Sequence, residues 1–409
     1  MKLSNLRIEK KAGQSYLTVD VQCEFTENHE LWISIPSQYE GWLSDDVYDA
    51  FLLASLYPAM YYNEDIEIQG KVSPRLMFNV RNYIRNAIVA YREEMHMINV
   101  RTLGTAIPIQ KEKHIATGFS GGVDSFTTII DRLENEEDES RRIDTFIFHN
   151  IGSHGGGKKG ARELFHNRYD LLKDFPIEKG LPFVKMDSNL YDFWRDEWEY
   201  YARSIADGFA CLSIQRGLHY YYLSGEFSYL QHMDMHFDKM TCNIDEMTEL
   251  YIYNLMSTER MEIILEGAQY TRIEKVKKVA EYEPAYRYLN VCVKWGFEKE
   301  NAENCSRCLK CARTLKELDV IGKLDRFNRV FDVEWYKRNK KKLWIRYLAG
   351  QDDWDPCKKV LLDYAKKSGY PFPPKIEVML YAIGSKIYDI GRKIYHPIWK
   401  LKKKYIAKS

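Results

Sequence analysis

The run Thr117-Gly118-Phe119-Ser120-Gly121-Gly122-Val123-Asp124-Ser125 constrains this chain more than any other stretch. The segment before it, His114–Thr117, predicts a short strand, and Ser125–Glu134 predicts a helix after it. Two adjacent glycines let the backbone turn sharply and bring N–H groups close to an anion. The N-terminus of the following helix adds partial positive charge. Ser120 and Ser125 supply hydroxyl donors. Asp124 is odd in a simple anion cradle, because it sets negative charge beside phosphate; it makes sense if it orients loop donors or helps hold Mg²⁺. The GKS or GKT ending of a Walker loop is missing, so this is not an ordinary P-loop NTPase. The plain alternative is a tight turn with an Asp–Ser helix cap.

Around this turn strands alternate with helices. Thr145–His149, Pro182–Met186, His219–Ser224 and Arg260–Leu265 read as strands, with helices over Ala161–Leu172 and Ile205–Gln215. The pattern predicts an α/β fold: an open, mainly parallel sheet with helices on both faces, whose ligands bind at the carboxyl ends of the strands. Ahead of it, residues 1–108 read as a small α+β module. Ser15–Glu24, Leu31–Ile35 and Asp65–Gln69 are its strands; Val47–Leu56, ended near Pro58, and Pro74 to about Arg92 are its helices. Residues 109–318 form the central domain. Residues 319–409 form a helical extension, with amphipathic helices over Glu334–Leu348 and Asp355–Lys367 and helical periodicity again from Ile376 to Ile406.

Cysteines give the second strong signal. Cys305-x-x-Cys308-x-x-Cys311 follows Cys292 by thirteen positions. Four thiolates can close a tetrahedral site around structural Zn²⁺. An iron–sulfur cluster also uses four cysteines, but no fourth cysteine follows in the short ferredoxin spacing, which favours zinc. Cys23, Cys211, Cys242 and Cys357 read as buried or inert thiols.

The string SGGVDS, placed between a strand and a helix, resembles the PP-loop signature of the ATP pyrophosphatase superfamily. That resemblance implies an adenine nucleotide alpha hydrolase-like fold and cleavage of ATP between its α and β phosphates. By it, Ser120, Gly121, Gly122, Asp124 and Ser125 grip the pyrophosphate, with Val123 in the same loop. Ala116, Gly118 and Phe119 line the nucleotide side. Tyr270–Thr314, with its cysteine knuckle, is similar to the C-terminal part of 7-cyano-7-deazaguanine synthases: Arg272, Glu274, Val276 and Arg313 fall at matching places, and Cys292, Cys305, Cys308 and Cys311 match the zinc ligands. The resemblance covers roughly residues 111–318. The synthases are much shorter and their first two cysteines are closer together, so it implies the ATP chemistry rather than the deazaguanine substrate.

The expected function is therefore an ATP-dependent ligase or synthase using ATP, Mg²⁺ and Zn²⁺. It activates a carboxylate or amide oxygen as an AMP ester, which ammonia, an amine or another nucleophile then displaces. The acceptor is open among a deazapurine, a sugar acid, a tRNA base and a protein terminus, and a homodimer is open too. Sulfur transfer, with Cys211 and Cys242 as the reactive pair, and a non-catalytic zinc- and ATP-binding module are the alternatives.

Weaker candidates lie where the strands end. Ile151–Gly160 is glycine-rich, and Lys158 or Lys159 can neutralise phosphate as charge develops, with His149, Asn150 and His154 nearby. Glu226, after the His219–Ser224 strand, can bind Mg²⁺ or a substrate amine. His232 and His236, near Asp234 and Asp238, fit a substrate-lid segment better than a metal site; Lys239, Asp245 and Glu246 are unranked.

Composition bounds the partners. Sixty Lys and Arg against fifty-nine Asp and Glu exclude a chain that holds nucleic acid by bulk positive charge. The N-terminus lacks an apolar signal core, and no apolar run is long enough to span a bilayer, so a cytoplasmic setting is expected. From Ile376 onward an amphipathic, lysine-rich helix reads either as a terminal helix packed on its own domain or as a dock for an anionic surface, nucleic acid or inner leaflet.

Overall fold

The computed structural model describes residues 1–27, 29–152, 154, 160–194, 202–237, 249–292, 302–351, 355 and 357–388, with backbone alone for 234–237. Among the described residues ten strands are present: β1 Lys2–Lys11, β2 Gln14–Gln22, β3 Glu30–Pro36, β4 Ile66–Val72, β5 Val100–Thr105, β6 His114–Gly118, β7 Thr145–His149, β8 Phe183–Ser188, β9 Leu218–Ser224 and β10 Glu262–Glu266. They form one sheet in the order β10-β9-β6-β7-β8-β3-β2-β1-β4-β5. Six of the nine pairings are parallel, so the protein is α/β with a mostly parallel sheet.

The central strands are largely apolar because both of their faces are buried. Alternate side chains enter opposite cores. Ala116, Ile147, Tyr221 and Leu223 pack on one side with the helices Asp49–Tyr62 and Arg203–Ser213. Ile115, Phe146, Phe148 and Tyr222 pack on the other with Val123–Ile129, Ala161–Leu172, Arg272–Ala280 and Leu309–Val320. This period-two division of an apolar run puts helices on both faces.

β6 lies between β9 and β7, and the chain leaves it first towards β7 and β8, later towards β9 and β10. The sheet therefore reverses its direction of growth at the C-terminal end of β6, where open α/β sheets form a crevice. The glycine turn occupies that point.

Residues 1–105 supply the other half of the same sheet. β3 runs antiparallel to β8, with Ile33 opposite Ser188 and Ser34 opposite Asp187. Asn189 extends the junction with its side chain: Oδ1 accepts from Trp32 N at 2.8 Å, and Nδ2 donates to the Glu30 carbonyl at 2.9 Å.

The helix expected to stop near Pro58 continues to Tyr62, where Asn63 caps it at φ +57°. From Asp49 to Met60 every residue of that helix is buried. Packing on all sides outweighs the one backbone hydrogen bond that proline removes. Helices beyond Leu318 include Val333–Leu348, Lys358–Lys367 and residues 375–388; Trp344, Tyr347 and Leu361 bury against Ile273 of the central domain. Residues 389–409 of the expected tail helix lie outside the described residues.

Candidate active site at the glycine turn

A cavity of ≈ 310 Å³ opens at the carboxyl ends of β6, β7 and β9. The turn Gly118–Ser125 forms its floor. Gly121 holds φ +71°, and a Cβ there would meet Leu172 Cδ2 at 2.7 Å and the Tyr288 carbonyl at 3.0 Å. Its own carbonyl accepts from Asn290 N at 2.7 Å. The turn is braced internally: the Ser125 hydroxyl donates to the Gly122 carbonyl at 3.0 Å, and Gly122 N donates to Ser120 Oγ at 3.3 Å. Ser120 itself is exposed, with its hydroxyl at the cavity floor.

Gly118, Ser120, Gly122, Val123, Asp124 and Ser125 all line the cavity, and Gly121 packs beneath it. Phe119 also borders it, but its ring is buried among Phe126, Phe146 and Phe175. Ala116 is fully buried in the sheet, away from the lining. Lys158 and Lys159 lie outside the described residues, as do Asp238, Lys239, Asp245 and Glu246; of Asp234 and His236 only the backbone is described.

Asp124 is held by two buried cations. Arg272 Nη1 stands 3.2 Å from Oδ2 and Lys275 Nζ 3.3 Å from Oδ1. Arg272 also reaches Glu317 at 3.3 Å and Thr314 Oγ1 at 3.4 Å, while Lys275 donates to the Gly225 carbonyl at 2.5 Å. Of the two roles open to Asp124, this geometry favours orienting the loop and its basic wall. Glu274, three residues into the Arg272 helix, closes a capping box with Thr271, and Val276 is core.

Arg313, Lys310 and Arg203 line the cavity too, the first two on the helix Leu309–Val320 that also holds Thr314 and Glu317, the partners of Arg272. Arg313 pairs with Asp355 at 2.9 Å and Glu226 at 3.4 Å. Burial alone would raise Glu226, but Lys310, Arg313, Arg203 and Arg272 outweigh it and hold the carboxyl well below the usual range. Lys310 acts on Glu226 through charge, with no direct hydrogen bond or close ion pair among the described residues.

At the inner end stand His149, His154, Asp207, Glu249 and Tyr253. Burial pushes His149 down to about 4 and Asp207 up to about 6. Tyr253 donates to Asp207 at 2.9 Å, and His149 Nε2 lies 4.0 Å from Asp207. His232 is buried near Phe227 and away from the cavity lining, and Asn150 donates to Asp187 at 2.7 Å.

The four motif cysteines meet. Their sulfurs all lie within 4.8 Å of one another, Cys292 and Cys308 at 3.9 Å, and none is in a disulfide. Tetrahedral zinc with Zn–S bonds of about 2.3 Å needs sulfur–sulfur edges of about 3.8 Å. Cys308 N and Arg307 N donate to Cys305 Sγ at 3.2 and 3.5 Å, around Ser306 at φ +60°. The neighbouring sulfurs of Cys292 and Cys308 push the Cys311 thiol far up, as expected for thiols that need a cation to ionise together. The group could hold a metal such as zinc. Cys292 also borders the cavity, so the cluster buttresses one wall, and Lys310 projects from the turn that the cluster fixes.

Arg168, Arg203, Asp207, Lys275 and Lys310 were not singled out by their sequence context. Lys310, inside the CxxCxxC run, and Lys275, between Glu274 and Val276, stand beside readable motifs. What fold and site define together is an α/β protein with a cation-walled cavity at its switch point and a four-cysteine group in the wall. Comparison with protein-family models, with curated proteins and with solved structures gives no match.

Proposed function

We propose that the chain is an ATP-dependent adenylating enzyme that forms carbon–nitrogen bonds. One observation carries the reading: the SGGVDS turn sits at the switch point of the sheet and lines one cavity together with Arg272, Lys310 and Arg313. The β and γ phosphates would lie over the turn, taking hydrogen bonds from its backbone N–H groups and from Ser120. Lys310 and Arg313 would stabilise the charge that develops as pyrophosphate leaves. Mg²⁺ would enter with the nucleotide, keeping much of its water shell.

The acceptor oxygen would attack the α-phosphorus. The bond from that phosphorus to the bridging oxygen breaks, pyrophosphate departs, and the acceptor becomes an AMP ester. An amine or ammonia then displaces AMP at the activated carbon. The chain supplies position and electrostatics in this scheme. His149, neutral at physiological pH, and Asp207 would face the acceptor end. Zinc would be structural, holding Lys310 in place. The Cys211 thiol is buried and pushed well up by that burial, the reverse of an activated sulfur nucleophile, which favours nitrogen over sulfur transfer; Cys242 lies outside the described residues.

The test is pyrophosphate release from ATP and Mg²⁺ across a panel of carboxylates and amides with ammonium present. Release that depends on one acceptor class and disappears in Ser120→Ala supports the reading. ATP binding without release for any acceptor would point to a regulatory nucleotide module instead.

A further inference from the structure

The helix over residues 375–388 is laid on the protein with its more apolar side outward. Val378, Tyr381, Ala382 and Ser385, spaced three and four apart, are its half-buried side. Ser385 accepts from Gln351 at 2.7 Å, and Glu377 pairs with Lys341 at 2.8 Å. Ile376, Met379, Leu380, Ile383 and Ile387 are between 49% and 64% exposed. At about 100° per residue these five fall in a stripe roughly 100° wide. A surface helix ordinarily turns such a stripe to its core, and a contiguous exposed apolar patch marks an interaction site.

Charge identifies the partner. The near-neutral chain is strongly divided: residues 319–409 hold 22 of the 60 Lys and Arg but only 10 of the 59 Asp and Glu. From residue 375 on, Lys375, Lys386, Arg392, Lys393, Lys400, Lys402, Lys403, Lys404 and Lys408 face only Glu377 and Asp389 in the count. Lys375 and Lys386 both flank the apolar stripe on the same edge.

We propose that this helix docks on an anionic lipid surface, with its aliphatic stripe in the headgroup–acyl boundary and its lysines among the headgroups. A nucleic acid would use the cations and leave five aliphatic side chains in water. A second copy would cover the stripe but bring two basic segments together. A bilayer with acidic lipids satisfies both features. Among the described residues no helix is long and apolar enough to cross a membrane, so the helix would lie in the interface.

The experiment is co-sedimentation of the full chain with equimolar phosphatidylcholine–phosphatidylglycerol vesicles and with phosphatidylcholine alone. Binding to the mixed vesicles should fall at least about tenfold on neutral ones, and again as salt shortens the Debye length. Leu380→Asp with Ile383→Asp should remove it with unchanged thermal unfolding, since both side chains are already solvated. Lys402, Lys403 and Lys404→Glu should weaken it while leaving the apolar stripe intact. No binding to mixed vesicles at low salt overturns the proposal. So does self-association, read by light scattering, that the Leu380/Ile383 variant abolishes, or RNA binding that this variant leaves untouched while vesicles are ignored.

Discussion

The Arg272 guanidinium stands 3.2 Å from the Asp124 carboxylate, tying the start of one helix to the first turn of another across 148 residues of sequence. Arg272 is nearly inaccessible, and so is Glu317 on its other side. Removing either partner strands charge in the interior, which costs about 3–5 kcal/mol when a buried pair is broken. Asp124→Ala should therefore lower stability by about 2–3 kcal/mol as well as abolish turnover, because a quarter of its side chain is still solvated. Urea unfolding checks this; an unchanged midpoint would mean that the pair does not form.

Ser120→Ala separates chemistry from folding. The residue is exposed and its hydroxyl makes two long internal contacts, accepting from Gly122 N at 3.3 Å and donating to Ser125 Oγ at 3.5 Å. Stability should change by less than about 0.5 kcal/mol, while pyrophosphate release falls about 100-fold, as for loss of one transition-state donor. Equal activity in the variant would take Ser120 out of the phosphate site.

At Gly121 any side chain meets both a positive φ and the Leu172 and Tyr288 atoms. Gly121→Ala should cost about 1–3 kcal/mol and displace the turn enough to abolish nucleotide binding. Calorimetry with ATP alongside thermal unfolding reads both effects. Wild-type affinity would show that the turn is not the phosphate cradle.

About one zinc per chain is expected from elemental analysis. Cys305→Ser should release it and unfold the segment around the Leu309–Val320 helix, since a closed four-ligand site contributes directly to local folding. Limited proteolysis should then cut near residue 305. Iron with labile sulfide in the purified protein would replace zinc with a cluster.

Asp49 gives a pH signature. It is fully buried at the start of the Asp49–Tyr62 helix, accepting from Ser73 N at 2.7 Å and Gln215 Nε2 at 3.0 Å, and burial pushes it up to about 7 from an ordinary value near 3.8. Between those values the native state holds a proton that the unfolded chain has released. Its contribution is therefore full below about pH 4 and is lost as pH rises towards 7, by roughly 2–4 kcal/mol in all. The stability difference between wild type and Asp49→Asn should fall across that window. A flat difference would mean that Asp49 is already ionised in the fold at pH 4.

Local pattern made much of this readable. β6 to β10 are short apolar runs between turn residues, and the helices Ala161–Leu172 and Val333–Leu348 carry regular apolar spacing. β1 and β5 were missed. β1 buries little beyond Leu3; β5 alternates in burial, but its Leu103 falls on the exposed side at 68% and its inner side holds Thr102 and Gly104, so neither sequence alternates apolar with polar residues. The join between β3 and β8 was hidden because the Asn189 amide completes it, and one polar residue leaves no periodic trace. In the site, the glycine turn and the cysteines were legible because their spacing is itself the chemistry. Arg203 and Asp207 sit one turn apart on the helix Arg203–Ser213 and Lys275 lies on Arg272–Ala280; only the topology brings these helices to the site, which single-residue context does not encode.

The β3–β8 seam has a consequence for synthesis. The first five strands are complete once residue 105 has left the ribosome, yet the edge that receives them is made only at residues 183–188. Until then β3 presents open N–H and carbonyl groups with no native partner. The same seam, once closed, removes both of those edges and, among the described residues, leaves only β10 and β5 as sheet borders. A nascent chain stalled between these two lengths should be the species most prone to strand-exchange with its neighbours and most dependent on chaperone cover.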